Sequence, residues 1–332
     1  MKSLAIVGAG GWGTALAIVL APRFETVRLW AYETDLAVRM IASRENNLYL
    51  PGLLIPTKVE ITSDLRHTVD GAEIILSVMP SHSVRSVYGQ MLSALHAETI
   101  FVSATKGLEE ETLMRASEVI AQVTGPRIQT RVAVLSGPTF AREVGSLNPT
   151  ALVVASGDAD LAQRIQAAFS GTSFRLYTST DPIGVEIGGA IKNVVAIGAG
   201  VIHGMGLGHN AMAALITRGL AEITRLAVAL GGQTQTLSGL AGLGDLVLTC
   251  TGELSRNRTV GVQLAQGRKL EEIVGSMRMV AEGINTTSAA VELARRCGVE
   301  MPITEQMYQM LHSGLAPREA IRRLMERTLR SE

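Results

Sequence analysis

The sequence predicts two unlike parts: an α/β unit built on a doubly wound sheet in residues 1–180, followed by an all-helical domain in residues 181–332. Three observations carry this expectation. Eight short runs rich in Val, Ile and Leu fill the first part with little alternation, as parallel strands buried on both faces do. Helix-length stretches separate most of them, the rhythm of strand–helix–strand crossovers. From Ile183 onward no strand-like run recurs, and apolar residues fall at helical spacing. At 332 residues the chain is also long enough for two cores.

In chain order, the candidate strands are Leu4–Val7, Val27–Trp30, Val59–Thr62, Ile74–Val78, Ile100–Ser103, Val132–Leu135, Leu152–Ala155 and Phe174–Tyr177. The stretches Thr14–Ala21, Leu36–Ser43, Val84–Leu95 and Glu110–Thr124 read as helices between them. The pattern changes near Ser179–Pro182. Beyond it, Leu220, Ile223, Leu226, Ala227 and Leu230 line one helical face, and Gly231–Gly232 ends it.

The first strand runs straight into GAGGWG, where Gly8, Gly10 and Gly13 fit GxGxxG, and TALAIVLA continues as a helix. That context marks a dinucleotide-binding, Rossmann-type unit. Gly8 permits the tight turn, Gly10 lets backbone approach a pyrophosphate, and Gly13 allows close helix–strand packing. The free N–H groups of the helix N-terminus then face phosphate. The expected cofactor is therefore NAD(H) or NADP(H). Glu33 lies twenty residues beyond Gly13, at the end of the second strand, and no Arg occupies positions 31–34. An acidic residue there accepts a ribose hydroxyl, so the reading leans to NAD. Two alternatives stay open: Glu33 as a surface charge, and Arg28 or Arg39 bending inward.

In open α/β sheets the ligand lies beyond the carboxyl ends of the strands. Met79–His82, Ala104–Gly107 and Ser136–Ala141 follow three of the strands, with small residues and polar tips. Lys106 could hold a phosphate or polarise a carbonyl there. The alternative is a solvated loop lysine. His82 reads as a residue at a helix N-terminus near the nicotinamide.

Lys192 and Asn193 are the only polar side chains in the apolar run Ile187–Ile202. A buried ammonium must be paired or shed its proton. The chain has five lysines against twenty-five arginines, and Lys can lose a proton where Arg cannot. Lys192 is thus a candidate acid/base group; the alternative is a core lysine that snorkels to the surface. Asp245 is the lone charge within GLAGLGDLVLTCT, so it needs a cation, and Lys192 is the natural one. Ser255–Arg256–Asn257–Arg258 opens a further helix, where hydroxyl, guanidinium and free N–H groups suit an anion. Hydride transfer also needs a proton moved at the substrate oxygen, which a lysine can supply. Together these residues point to reduction of a small phosphorylated or carboxylated carbonyl compound.

Composition excludes other classes. Thirty basic residues balance thirty acidic ones, and aromatics are 4%. Neither a basic surface for nucleic acid nor a base-stacking platform is expected. Cys250 and Cys297 are too few and too far apart for a disulfide framework or zinc site, and fit a reducing cytoplasm. The six histidines show no metal-binding spacing. The run around Lys192 approaches membrane-spanning length, but its Lys–Asn pair argues for a buried helix and no membrane insertion. The apolar N-terminal run is too short for a signal peptide.

GAGGWGTALA, PSH, ATKGLE, SGPTFA, GGAIKNVVAIGAG, LITRGLAE, AGLGDLVLTCT and SRNR occur in the order and spacing of the bacterial NAD(P)-dependent glycerol-3-phosphate dehydrogenases, which the chain resembles over nearly its whole length. The resemblance implies reduction of dihydroxyacetone phosphate to sn-glycerol 3-phosphate, a phospholipid precursor, by a homodimer. It implies that Lys192 transfers the proton. It implies substrate contacts at Lys106, Gly137, Thr139, Asn193, Asp245, Ser255, Arg256 and Asn257. Cofactor contacts would fall on Gly11, Trp12, Tyr32, Lys106, Ala141, Arg256, Val280 and Glu282. Two positions depart from the family pattern: Tyr32 stands where many members carry a basic residue or His, and AEGINTT replaces the usual segment around Glu282. A β-hydroxyacid dehydrogenase, which would lack SRNR, and a catalytically silent NAD-binding regulator are the rival readings.

Overall fold

The computed structural model describes residues 1–277 and 281–329. The strands are β1 (Ser3–Val7), β2 (Thr26–Trp30), β3 (Val59–Thr62), β4 (Ile74–Ser77), β5 (Ile100–Ser103), β6 (Arg131–Ser136), β7 (Thr150–Ala155) and β8 (Phe174–Ser179). They form one sheet in the order β3-β2-β1-β4-β5-β6-β7-β8. Every predicted strand is present. The apolar runs are explained by burial on both faces. Along β1, Leu4 and Ile6 enter one core with Leu29, Leu76 and Val102, while Ala5 and Val7 enter the other with Ile75, Tyr88 and Phe101.

The sheet is not wholly parallel as expected: β6 pairs with β7 antiparallel, Val134 opposite Ala155, and β8 then runs parallel to β7. After β6 the chain makes only a five-residue helix (Ala141–Gly145) before β7 begins. That segment packs beside the glycine loop, with Ala141 Cβ next to Gly11. The chain therefore re-enters the sheet from the end at which β6 leaves it. An apolar run encodes burial, and carries no strand direction.

The helices of this sheet layer are α1 (Gly11–Leu20), α2 (Thr34–Ser43), α3 (Leu65–Val69), α4 (Val84–Met91), α5 (Ala116–Thr124), α6 (Ala141–Gly145) and α7 (Ala159–Phe169). The helix expected over Glu110–Thr124 starts only at Ala116. Leu113 N–H closes a turn on the Glu109 carbonyl, and Leu113 then takes a left-handed φ of 64°, which no helix interior tolerates. The segment before α5 is instead a strap, with Leu108 bridged to Arg115. α4 likewise stops short of Leu95, in a 3₁₀ turn at Leu92–Ala94.

The second layer is helical: α8 (Pro182–Gly204), α9 (Gly208–Ala229), α10 (Thr234–Leu237), α11 (Asp245–Thr251), α12 (Arg256–Ala265), α13 (Leu270–Ser276), α14 (Glu282–Arg296), α15 (Pro302–His312) and α16 (Pro317–Met325). α8 is its axis. It is long and apolar enough to cross a membrane, yet its apolar window is entirely buried within the protein. α9, α11, α12, α14 and α15 all pack on it. The α8–α12 crossing is backbone to backbone. A Cβ on Gly200 would sit 2.0 Å from the Arg258 carbonyl oxygen, and one on Gly261 1.9 Å from that of Ile197. This approach draws the start of α12, with its SRNR residues, against the lysine-bearing helix.

Candidate active site

The β1–α1 turn is built by its glycines. Gly8 has φ 120°, and a Cβ there would meet the Val78 carbonyl oxygen at 2.5 Å. A Cβ on Gly13 would lie 1.8 Å from the Gly8 carbonyl oxygen. At Gly10 a Cβ would meet nothing within 4 Å among the described residues. Gly8 and Gly13 thus serve packing, while the space at Gly10 stays open at the N-terminus of α1, which no side chain caps. Trp12 Nε1 is buried without a hydrogen-bond partner among the described residues. An open cradle, uncapped N–H groups and an orphaned donor fit a dinucleotide's phosphates.

At the end of β2, Glu33 accepts a hydrogen bond from Tyr49 Oη at 2.9 Å. Tyr32 beside it is 77% exposed and meets Trp30 edge to face. Arg28 binds Glu60 and the carbonyls of His67 and Asp70, and Arg39 binds Asp35. Neither arginine turns toward Glu33.

Lys192 is buried on α8 and donates hydrogen bonds to Asp245 Oδ1 and, at 2.8 Å, to Thr249 Oγ1. Thr249 in turn donates to the Asp245 carbonyl at 2.6 Å, one turn back along α11. The strap brings Lys106 Nζ to 2.8 Å from Asp245 Oδ2 and 3.3 Å from the Gly137 carbonyl oxygen. One buried carboxylate therefore bridges two ammoniums. Burial pushes the Lys192 pKa down from 10.5 to about 7; Asp245 opposes the shift and the Lys106 cation adds to it. Asp245 is set by a five-residue π-helix, Leu240–Gly244, immediately before α11. The glycine spacing there serves packing: a Cβ on Gly242 would lie 2.1 Å from the Leu237 carbonyl oxygen.

At the start of α12, Ser255 caps the helix by accepting from Arg258 N–H. Asn257 is buried and accepts from Gly283 N–H at 3.0 Å, joining α12 to α14 beside the Asn193 backbone. Arg256 stands on the exposed side. Glu282, first residue of α14, accepts from Ser81 Oγ at 3.3 Å and lies against Gly107. Burial raises the Glu282 carboxyl to about 7, against the pull of Ser81 and Arg256.

The anticipated residues thus gather around three places: Gly8–Gly13 with Ala141; Lys106, Gly137, Lys192 and Asp245; and Ser255–Asn257 with Glu282. Thr139 lies near the second, donating to the Gly137 carbonyl. Val280 lies outside the described residues. Lys106, read from sequence as a group that holds a phosphate or polarises a carbonyl, or else as a solvated loop lysine, is paired with Asp245. His82 is exposed, and its neighbour Ser81 faces Glu282 instead. Thr249 went unrecognised, although its spacing of four from Asp245 on an apolar helix was a usable signal.

Residues 3–162 match the family described as NAD-dependent glycerol-3-phosphate dehydrogenase N-terminus, and residues 181–322 match its C-terminus. The chain is 57% identical over 334 residues to a glycerol-3-phosphate dehydrogenase (NAD(P)+) of Koribacter versatilis, covering 100% of this chain and 99% of that one. It is 51% identical to one from Geobacter sulfurreducens, with the same coverage. The crystal structure of a Coxiella burnetii glycerol-3-phosphate dehydrogenase superposes with a TM-score of 0.94 at 42% identity, over 98% of this chain and 99% of that one. A Ralstonia eutropha ketopantoate reductase, at 18% identity and TM-score 0.61 over 96% of this chain and 100% of that one, shares the fold alone.

Proposed function

The chain belongs to the NAD-dependent glycerol-3-phosphate dehydrogenase family, and from that premise we infer that it reversibly reduces dihydroxyacetone phosphate to glycerol 3-phosphate, a glycerophospholipid precursor. The single observation that supports the chemistry most is the buried Lys192–Asp245–Lys106 cluster beyond the carboxyl ends of β5 and β6. When bound, the nicotinamide exchanges hydride with the substrate's central carbon. Lys192 gives a proton to the keto oxygen in reduction and takes it from the hydroxyl in oxidation. A pKa of about 7 suits both directions, since ammonium and amine are then both populated near neutrality. Asp245 and Thr249 aim the amine. Arg256, with Ser255 and Asn257 at the N-terminus of α12, holds the phosphate. Lys106, Gly137, Thr139 and Asn193 complete the substrate site.

On the cofactor side, Gly8–Gly13 hold the pyrophosphate, with Trp12 donating its indole N–H. Tyr32 and Ala141 border this site, and Glu282 and Arg256 close it from the helical layer. Glu33, held by Tyr49, accepts the adenosine ribose hydroxyls, which supports a preference for NAD over NADP. We further propose domains meeting at residues 180–181 and a cytoplasmic homodimer. The support is the gap between β8 and α8, two free cysteines and the family likeness.

The test is spectrophotometric: oxidation of NADH and of NADPH, followed separately with dihydroxyacetone phosphate. Turnover with NADH faster than with NADPH is expected. Oxidation of neither cofactor ends the proposal. Lys192→Ala should still bind NADH yet turn over about a thousandfold more slowly; undiminished turnover would remove Lys192 from its role.

A further inference from the structure

The strap between β5 and α5 carries Lys106 at one end and is fastened across the two layers at the other. Leu108 and Leu113 leave the sheet layer and pack into the helical core with Ile187, Ala190 and Ile191 of α8. Between them the strap folds on itself. Glu109 receives Arg85 Nε at 2.8 Å and Nη2 at 2.7 Å, and the Thr112 hydroxyl besides. Leu113 turns left-handed to complete it. The far end meets Glu186, which lies on α8 six residues before Lys192. Glu186 Oε2 accepts from Arg115 Nη1 at 2.7 Å and from Ser117 Oγ at 2.6 Å, and its Oε1 accepts from Ser117 N–H at 2.9 Å.

Both charges of this pair are nearly sealed from solvent, with 13% and 7% of their side chains exposed. A buried ion pair is poor as a source of stability, because desolvation offsets its attraction and an apolar pair would pack as well. It is good at direction. Three hydrogen bonds to two carboxylate oxygens admit one register of strap on helix, where Leu108 and Leu113 alone would tolerate sliding. The same helix bears Lys192, and the other end of the strap delivers Lys106 to the Asp245 carboxylate that Lys192 shares.

We propose that Glu186 is a positioning residue for the reaction: by fixing Arg115 and Ser117 against α8 it sets the strap that presents Lys106 to Asp245 and Lys192. This rests on the reading of those three residues given above. Glu186 touches none of the reacting groups and acts through Lys106 alone.

The test is a double-mutant cycle in the full-length enzyme, following NADH oxidation by dihydroxyacetone phosphate. The four proteins are the wild type, Glu186→Gln, Lys106→Met and the double variant. Glu186→Gln should lower kcat about tenfold, since small misplacements of a site group are amplified in rate. In the Lys106→Met background the same substitution should change kcat by less than about twofold, because coupled residues are not additive. The alkaline limb of the pH–rate profile should also move upward in Glu186→Gln, since the Lys106 cation that depresses Lys192 is no longer held beside it. Equal losses in both backgrounds, or no loss in either, would overturn the proposal alone. Full activity in Lys106→Met by itself would overturn the reading of the site and the proposal with it. Should Glu186→Gln fail to fold, Ser117→Ala removes one hydrogen bond of the clamp and enters the same cycle. About a threefold loss is then expected, present only with Lys106 in place; additive losses overturn the proposal there too.

Discussion

Asp245→Asn isolates the electrostatics of the site, because it removes one charge and keeps the shape. Asp245 is fully buried and holds two ammoniums. A pair of opposite charges ~3 Å apart is worth about 5 kcal/mol at an effective dielectric of about 20. One pKa unit corresponds to about 1.4 kcal/mol. Even if relaxation and water recover most of the pair energy, losing the carboxylate lowers the Lys192 pKa by at least about one unit. Starting from about 7, roughly a quarter of the lysine is ammonium at about pH 7.5, and one unit lower leaves roughly 3%. Protonation alone therefore removes about eightfold of the reduction rate, and loss of the aim given by Asp245 raises the total to about a hundredfold. The fold should survive. Lys192 already sits near half-protonation, so shedding the rest of its charge adds well under about 1 kcal/mol, and Lys106 can reach water. The assay is kcat/KM for dihydroxyacetone phosphate from about pH 5.5 to 9, with a thermal melt alongside. Reduction needs the ammonium, so its rate falls as pH rises through the lysine pKa, and that limb should move to lower pH in the variant. A limb left near 7 with a near-normal rate would refute the argument. A collapsed melt would refute the claim that Lys192 discharges cheaply.

Three further outcomes follow from other parts of the site. Arg256→Ala should raise KM for dihydroxyacetone phosphate by about 10- to 100-fold, the worth of a charge-assisted hydrogen bond, with little effect on the same reaction of unphosphorylated dihydroxyacetone; equal effects on both would remove the phosphate from Arg256. Glu33→Arg should shift the ratio of kcat/KM for NADPH over NADH upward by about tenfold or more, because a guanidinium replaces the carboxylate proposed to bind the ribose; an unchanged ratio would place the 2′-position elsewhere. Gly13→Ala should give little folded protein in a solubility and circular-dichroism comparison, since its Cβ would fall 1.8 Å from the Gly8 carbonyl oxygen, a clash that cannot relax without parting α1 from β1. A folded Gly13→Ala with normal NADH affinity would contradict that packing.

Much of the site was legible because its residues break local rules in isolation. Lys192 and Asp245 each stand as the lone charge in an apolar stretch, so their pairing across fifty-three positions followed from the cost of burying either alone. The glycine loop was legible because its spacing is backbone chemistry. His82 lies in the turn leading into α4, where the sequence put it at a helix start, whereas the contact of Ser81 with Glu282 is set by a 3₁₀ segment that no periodicity encodes. That Lys106 meets Asp245 was not legible, because its strap gives no hint of which carboxylate it will meet.

By itself, the sequence determined the two-part architecture, the eight strands, the dinucleotide turn and the pairing of Lys192 with Asp245, since burial periodicity and unpaired charge are properties of short stretches. Only the tertiary structure decided that β7 and β8 reverse, that the region expected to open a helix is a strap, that Lys106 and Thr249 converge on the Lys192–Asp245 pair, and that Glu186 meets Arg115 and Ser117 at the strap's far end. Those depend on contacts between segments tens of residues apart. Loop closure and packing, neither of which has a local signature, choose between partners there.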